Sequence, residues 1–247
     1  MREVILEKAM TLASEIDILE ETVPKSGTAP LTAVTGEIRV PHDGLDIPFS
    51  SNVEHSFLHA CRMDSQIDFV KHQPFSIIFK SASGRKTRTY TPDYYVRKSI
   101  LKPKSQYRIA VGSPTEILVE VKREEDLRYI KEEDITRFGS AIAWAKKDPK
   151  RHFLLFLDTD LSGEMGQRIK RLSNLLDQQE TRAARHLKIT MKDMSLPTVA
   201  EIISFLQFSG FTEAQATDAI WIGLSHGWLG TGTPTIPKKS DRIIYYG

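Results

Sequence analysis

The order of hydrophobic patterns along the chain predicts an α/β fold in which a mixed sheet carries helices on both faces. A capped amphipathic helix begins at Ser51, and a predicted β-hairpin follows it. Two later apolar, β-branched runs, at 115–122 and 152–157, are separated by a helical pattern at 134–147. These patterns give the element order α-β-β-β-α-β-α.

The individual elements are predicted from capping, turn and periodicity signals. Residues 1–22 are expected to be helical, and 24–48, rich in Pro, Gly, Thr and Asp, to form an irregular or short-stranded arm. The hairpin is expected to join strands 74–80 and 87–96 through Ser81-Ala82-Ser83-Gly84, and a further helix is expected at 164–177.

The C-terminal part of the sequence has a different pattern. Residues 178–197 are charged and helix-permissive, two helices are predicted at 196–207 and 212–228, and a short strand at 242–246. Two helices and a terminal β-wing favour a small winged-helix-like domain, and a helical hairpin packed on the main domain is the alternative. The predicted divisions are an arm at 1–48, a core at 49–177 and a C-terminal domain at 178–247.

Composition excludes several classes of protein. The 247 residues are 40% hydrophobic and 27% charged, and the net charge of +2 is too small for a protein that coats nucleic acid by charge alone. One cysteine, Cys61, excludes an internal disulfide and a Cys-ligated cluster. The N-terminal residues resemble no secretory signal and no apolar run reaches membrane-spanning length, so we expect a cytoplasmic protein without membrane contact.

Three polar residues in two apolar strand patterns are the candidate catalytic group. Pro92 interrupts the run Tyr90–Val96, so the strand must bend or lie at an edge where Asp93 follows. In Leu118-Val119-Glu120-Val121-Lys122, Glu120 and Lys122 project to one face of a strand that is otherwise apolar. Charged groups there need a metal or partner charge. Two carboxylates suit Mg²⁺, with Mn²⁺ as a substitute, and Lys122 could orient or deprotonate an attacking water.

Glu54 is the fourth candidate. The spacing Ser51-x-x-Glu54 fits a capping box, in which the glutamate closes the helix N-terminus. On a helical wheel Glu54 also falls between Cys61 and Leu58 on the apolar stripe and points inward, which suits a metal ligand. The two roles are compatible. A plain salt-bridge cluster remains the structural alternative for Asp93, Glu120 and Lys122.

Other polar pairs favour less specific interpretations. His55 and His59 have i, i+4 spacing, but they lack the Glu of a zinc-binding H-E-x-x-H motif and are expected at the surface. Asp158 and Asp160 follow a strand, where turn chemistry is the commoner role. No phosphate-binding loop and no serine-hydrolase motif is present.

With these residues in place, the chain resembles the TnsA endonuclease subunit of heteromeric cut-and-paste transposases, within the PD-(D/E)xK superfamily. The resemblance runs from about Val53 to Leu176 through five segments in fixed order: Val53–Leu58, Phe69–Phe75, Tyr90–Val96, Leu118–Lys122 and His152–Asp158. Some family members carry Gln at the position of Glu120, and Glu is the commoner ligand in the wider superfamily.

The resemblance implies a restriction-endonuclease-like core with Glu54, Asp93, Glu120 and Lys122 as catalytic residues, the three carboxylates being the ligands of Mg²⁺. It implies cleavage at the 5′ ends of a transposon, with double-stranded DNA, a TnsB-like DDE transposase and a TnsC-like AAA+ ATPase regulator as partners. A stand-alone phage or restriction-type nuclease and a catalytically silent DNA- or protein-binding adaptor are the alternatives.

Overall fold

The computed structural model describes residues 1–23, 35–40, 45–64, 66–81, 86–99, 115–232 and 236–246. It is a mixed α/β structure, as the sequence predicts, and it divides into two compact units, Met1–Leu161 and Ser162–Gly247. The dividing point lies before Ser162, whereas the sequence analysis placed it after residue 177.

The central sheet of the first unit has four strands in the order β4 (Ile67–His72), β7 (Tyr94–Lys98), β8 (Glu116–Lys122), β9 (Arg151–Leu157). The first two pairings are antiparallel. β8 and β9 run parallel, with Glu116 opposite Arg151 and Lys122 opposite Leu157. The predicted strands at 115–122 and 152–157 therefore form the parallel pair of a mixed sheet, and the helix between them makes the crossover.

A second, three-stranded sheet has the order β1 (Ile16–Thr22), β5 (Ser76–Ser81), β6 (Arg88–Tyr90). The prediction that 1–22 is helical was wrong beyond α1 (Arg2–Ala13), because 16–22 pairs with β5, about sixty residues away in sequence. The predicted strand 87–96 also divides. Its first part pairs with β5 and its second part, β7, belongs to the central sheet. Most of the predicted turn 81–84 lies outside the described residues.

Apolar side chains cover both faces of the central sheet. One face packs against α2 (Asn52–Met63) and the hairpin of β2 (Gly36–Arg39) and β3 (Asp46–Phe49), through Phe57, Tyr94 and Val119. The other packs against α1, the three-stranded sheet and α3 (Glu132–Lys146), through Leu118 and Phe138. The hairpin β2–β3 lies within the arm that was predicted to be irregular or short-stranded. Short 3₁₀ helices occupy Glu125–Tyr129 and Asp158–Leu161.

The second unit contains four helices and one antiparallel strand pair within the described residues. Its elements are α4 (Gly163–Leu175), α5 (Arg182–Thr190), α6 (Val199–Phe208), α7 (Glu213–Ser225), β10 (Leu229–Thr231) and β11 (Ile243–Tyr245). α6 and α7 both begin with complete capping boxes, at Thr198 and Thr212, and so match the two predicted helices. α4 packs on α7, where the Ser225 hydroxyl donates to the Leu172 carbonyl at 2.8 Å.

Candidate active site

The site lies where the chain passes from one sheet of the first unit to the other. β6 ends at Tyr90 and β7 begins at Tyr94, so Thr91, Pro92 and Asp93 bridge the two sheets. Pro92 has no N–H to give to a sheet ladder, which accounts for the break. The bend predicted at this proline is confirmed, and it leaves Asp93 in the short segment between the two strands.

Backbone hydrogen bonds hold Asp93 from two sides. Its carboxylate Oδ2 accepts the Val121 N–H at 2.8 Å, and its carbonyl accepts the Gln73 N–H at 2.8 Å. Gln73 has a left-handed φ of +42°. Tyr94 pairs with Val119, so the next residues outward, Asp93 and Glu120, stand at one level of the sheet.

Glu120 and Lys122 lie on the same face of β8 as the prediction requires. Ile117, Val119 and Val121 pack toward α2, while Leu118 packs toward α3. By strand alternation Glu120 and Lys122 share the face of Leu118. The Lys122 Nζ lies 2.6 Å from Glu120 Oε1, and the side chains are 34% and 9% exposed. The Lys122 amine is therefore accessible to solvent, while the Glu120 carboxylate that it contacts is almost fully buried.

Tyr90 is a site residue that the sequence analysis missed. Its buried hydroxyl donates to Glu120 Oε2 at 2.7 Å, so both oxygens of the Glu120 carboxylate have partners. Tyr90 and Glu120 are 30 positions apart and meet only because β6 and β8 belong to adjoining sheets. The one available signal was position, since Tyr90 directly precedes the Thr91-Pro92-Asp93 break.

The shared site changes the acidity of its members. Burial and the neighbouring charge of Glu120 hold the pKa of Asp93 well above its usual 3.8, although Lys122 and the Val121 N–H oppose this. Burial alone would lower the pKa of Lys122, but Glu120 and Asp93 outweigh it and raise the value. Burial, together with Glu120 and Asp93, also raises the pKa of the Tyr90 hydroxyl. Lys122 therefore keeps its proton, whereas the ionised form of Asp93 is disfavoured.

Glu54 lies on the other side of the sheet plane, at the start of α2, and is buried as predicted. Its Oε2 accepts the Ser50 N–H at 2.8 Å and the Tyr94 hydroxyl at 3.1 Å. The Ser51 hydroxyl accepts the Glu54 N–H at 3.1 Å. Ser51 therefore caps the helix, but the Glu54 carboxylate accepts the Ser50 N–H, one residue before the cap, so the expected capping box is formed only in part. Tyr94 joins Glu54 to the Asp93 segment, and the charge of Glu54 contributes to the raised pKa of Asp93.

The donor chemistry of Asp93 and Glu120 fits a hard divalent cation. The neighbouring charge of Glu120 raises the pKa of Asp93, and a cation placed between the two carboxylates would remove that repulsion. Within the described part of the chain no three Asp, Glu, His or Cys side chains converge tightly enough to hold one ion. The pair is sufficient for Mg²⁺, which takes one or two carboxylates and keeps several waters. Direct ligation by Glu54 stays a prediction.

The remaining polar pairs have structural roles. Asp158 Oδ1 accepts the Glu124 N–H at 2.9 Å and so ties the end of β9 to the segment after β8. Asp160 accepts the Leu157 N–H at 2.9 Å, within the turn after β9, and pairs with Arg2 at 2.6 Å. The Nε2 atoms of His55 and His59 are 3.2 Å apart. The expectation that both lie at the surface was wrong for His59, which is 3% exposed, because it packs under His55 on α2.

No helix within the described ranges is both long and apolar enough to cross a membrane. Comparison of the chain with models of known protein families and with curated proteins found no match.

Proposed function

We propose that this chain is a metal-dependent DNA endonuclease of the PD-(D/E)xK type, with a restriction-endonuclease-like first unit. The observation that carries the proposal is the meeting of Asp93, Glu120 and Lys122 at the break between the two sheets. The Asp93 carboxylate bonds to the backbone of β8, and the Lys122 amine contacts Glu120 at 2.6 Å. A salt-bridge cluster explains the amine but not a second, half-buried carboxylate with a raised pKa.

Asp93 and Glu120 would hold the cation, normally Mg²⁺ with Mn²⁺ as a substitute. A bound divalent ion supplies a hydroxide-like nucleophile at neutral pH and neutralises charge on the phosphate. Tyr90 fixes the orientation of Glu120, and the backbone of Val121 fixes Asp93. Lys122, protonated and 34% exposed, is placed to hydrogen-bond a scissile phosphate oxygen or the attacking water, and it becomes a base only where its proton affinity is lowered.

Within this class, we propose the role of a TnsA-like subunit that cuts at the 5′ ends of a transposon. The order of the five sequence segments supports this role. Four of them lie at the site: they contain Glu54, the Gln73 turn that bonds to Asp93, Asp93 itself, and the strand with Glu120 and Lys122. A TnsB-like DDE transposase would recognise the double-stranded ends and make the 3′ cuts, and a TnsC-like AAA+ regulator would supply targeting. A winged-helix-like C-terminal domain is part of this proposal, and the order of α5, α6, α7, β10 and β11, three helices and a strand pair, supports it.

The first experiment asks only for nuclease chemistry. Supercoiled plasmid is incubated with the full chain and Mn²⁺ or Mg²⁺, and nicking is compared with Asp93→Ala and with the control Asp68→Ala, whose carboxylate binds exposed Arg97. Metal-dependent nicking by wild type and Asp68→Ala, lost in Asp93→Ala, supports the proposal. No nicking with either metal, alone or with the partner transposase, contradicts it.

The second experiment separates a transposase subunit from a stand-alone nuclease. DNA carrying candidate transposon ends is labelled on each strand and incubated with this chain, with and without a candidate TnsB-like DDE transposase. Cuts at the 5′ ends should appear only with the partner, and Asp93→Ala should remove them while sparing the 3′ cuts. Efficient cleavage of arbitrary DNA by the chain alone would identify a stand-alone nuclease instead.

A further inference from the structure

The excess of positive charge lies entirely in the second unit. Residues 1–161 contain 24 Lys and Arg and 24 Asp and Glu, so their formal charge is zero. Residues 162–247 contain ten Lys and Arg and eight Asp and Glu, which gives the whole net charge of +2. By net charge, the second unit is therefore the better candidate for binding a polyanion outside the active site.

The exposed face of α5 and the turn after it carries a basic stripe. Arg182, Arg185, Ile189 and Lys192 follow one another at intervals of three, four and three residues, and all four are exposed. The opposite face of the helix, Ala183, Ala184 and Leu187, is buried in the unit. From Arg185 to Lys192 the stripe is about 10 Å long at 1.5 Å per residue. That is the axial rise of about three phosphates on one DNA strand.

Three residues of this stripe, Arg185, Ile189 and Lys192, form one wall of a groove of about 600 Å³. Glu180, Lys188 and Tyr245 complete its lining. Its one described carboxylate, Glu180, is already paired with Lys188 at 2.9 Å, and that lysine also lies over the Trp228 ring. Arg185 and Lys192 have no ion pair with any carboxylate that the structure describes. They leave the groove positively charged, and Tyr245 contributes a hydroxyl from the facing strand β11.

We propose that this groove binds the phosphate backbone of duplex DNA and gives the proposed nuclease a second DNA contact. Guanidinium, ammonium and tyrosine hydroxyl groups are the side chains that position proteins on phosphates without reading sequence. An acidic peptide is the competing occupant, but the cations on this helix face extend over the rise of about three phosphates, and DNA is the polyanion that the first unit would cut.

The helix that would read a major groove in a standard winged-helix arrangement does not offer this chemistry. From Ala219 to Ser225, α7 is buried, and the Arg171 guanidinium of α4 lies 4.3 Å over its Trp221 ring. The exposed charges of α7 are Glu213 and Asp218, which repel phosphates. α7 therefore presents no exposed cation to a phosphate, whereas α5 does.

The test measures binding without cleavage. A fluorescent 30-base-pair duplex is titrated with the full chain in EDTA at several salt concentrations, and anisotropy gives the Kd. The test variant is Arg185→Gln/Lys192→Gln, and the matched control is Lys147→Gln/Lys150→Gln. The control lysines are equally exposed and lie where β9 begins, at the end of the parallel strand pair away from Lys122.

We expect the Kd of the test variant to rise at least tenfold at low salt, and the slope of log Kd against log salt to fall by about two, because each phosphate contact contributes about 0.9. The control should stay within twofold of wild type. A test variant that also stays within twofold refutes the proposal, and binding of an Asp- and Glu-rich peptide to the groove without DNA competition refutes it as well. Failure of cleavage in wild type, with groove-dependent binding intact, would refute the nuclease proposal alone.

Discussion

Asp93→Asn separates an active site from a structural salt-bridge cluster, because the two models predict opposite changes in stability. Asparagine keeps the size of the side chain and an oxygen that can accept the Val121 N–H, now 2.8 Å from Asp93 Oδ2. It removes the charge that burial and Glu120 make unfavourable. Weakening a charge-assisted hydrogen bond to a neutral one costs about 1 kcal/mol. Relief of the buried like-charge contact should exceed this, and we expect a net gain of about 1 kcal/mol.

The sign of the pH dependence follows from the raised pKa of Asp93. Folding favours its protonated form, so wild type has its full stability below the ordinary pKa of 3.8 and loses part of it as pH rises through the higher pKa of the folded state. The asparagine variant does not titrate. Its advantage over wild type should be absent near pH 3.8 and should grow toward neutral pH.

Urea unfolding followed by circular dichroism measures this difference, in EDTA and again with Mg²⁺. Mg²⁺ at ten times its Kd should stabilise wild type by about 1.4 kcal/mol and leave Asp93→Asn unchanged. The control is Asp64→Asn, since buried Asp64 pairs with buried Lys98 at 3.5 Å and its loss should cost about 3 kcal/mol or more. An Asp93→Asn variant destabilised by more than about 2 kcal/mol, like a broken structural pair, would refute the reasoning.

Four further outcomes are expected. Glu120→Ala and Lys122→Ala should each abolish nicking while the protein still unfolds cooperatively, and loss of folding in both would indicate a structural cluster. Mg²⁺ or Mn²⁺ should support cleavage and Ca²⁺ only DNA binding, so full activity in excess EDTA would exclude the metal mechanism. Tyr90→Phe should weaken Mg²⁺ binding about tenfold at unchanged fold, as titration calorimetry would show, whereas Tyr94→Phe, which removes one of several hydrogen bonds to Glu54, should leave it within about twofold. Residues 1–161 should fold alone with a cooperative melt, but 1–177 should aggregate more readily because it exposes the face of α4 that packs on α7.

Local chemistry made much of this protein predictable from its sequence. The cap at Ser51 sets the start of α2, and the paired capping boxes at Thr198 and Thr212 set α6 and α7. Pro92 breaks a strand because it lacks an N–H, wherever that strand lies. Alternation in a strand places Glu120 and Lys122 on one face without knowledge of any partner. These features depend on a few neighbouring residues, so the sequence contains all the information they require.

Contacts between distant segments were decided only by the tertiary structure. Residues 16–22 are a strand because β5 offers them a ladder, which outweighs the helical tendency of the preceding segment. The predicted hairpin strand 87–96 serves two sheets, and this places Tyr90 against Glu120 across 30 positions. The assignment of α4 to the second unit depends on its packing against α7, about 50 residues later. Pairing and packing energies depend on partner segments that are distant in sequence, and local periodicity carries no information about those partners. Asp93, Glu120 and Lys122 could be singled out because their signals are local. Tyr90, which holds Glu120 in place, could not, because its contact with Glu120 joins two sheets.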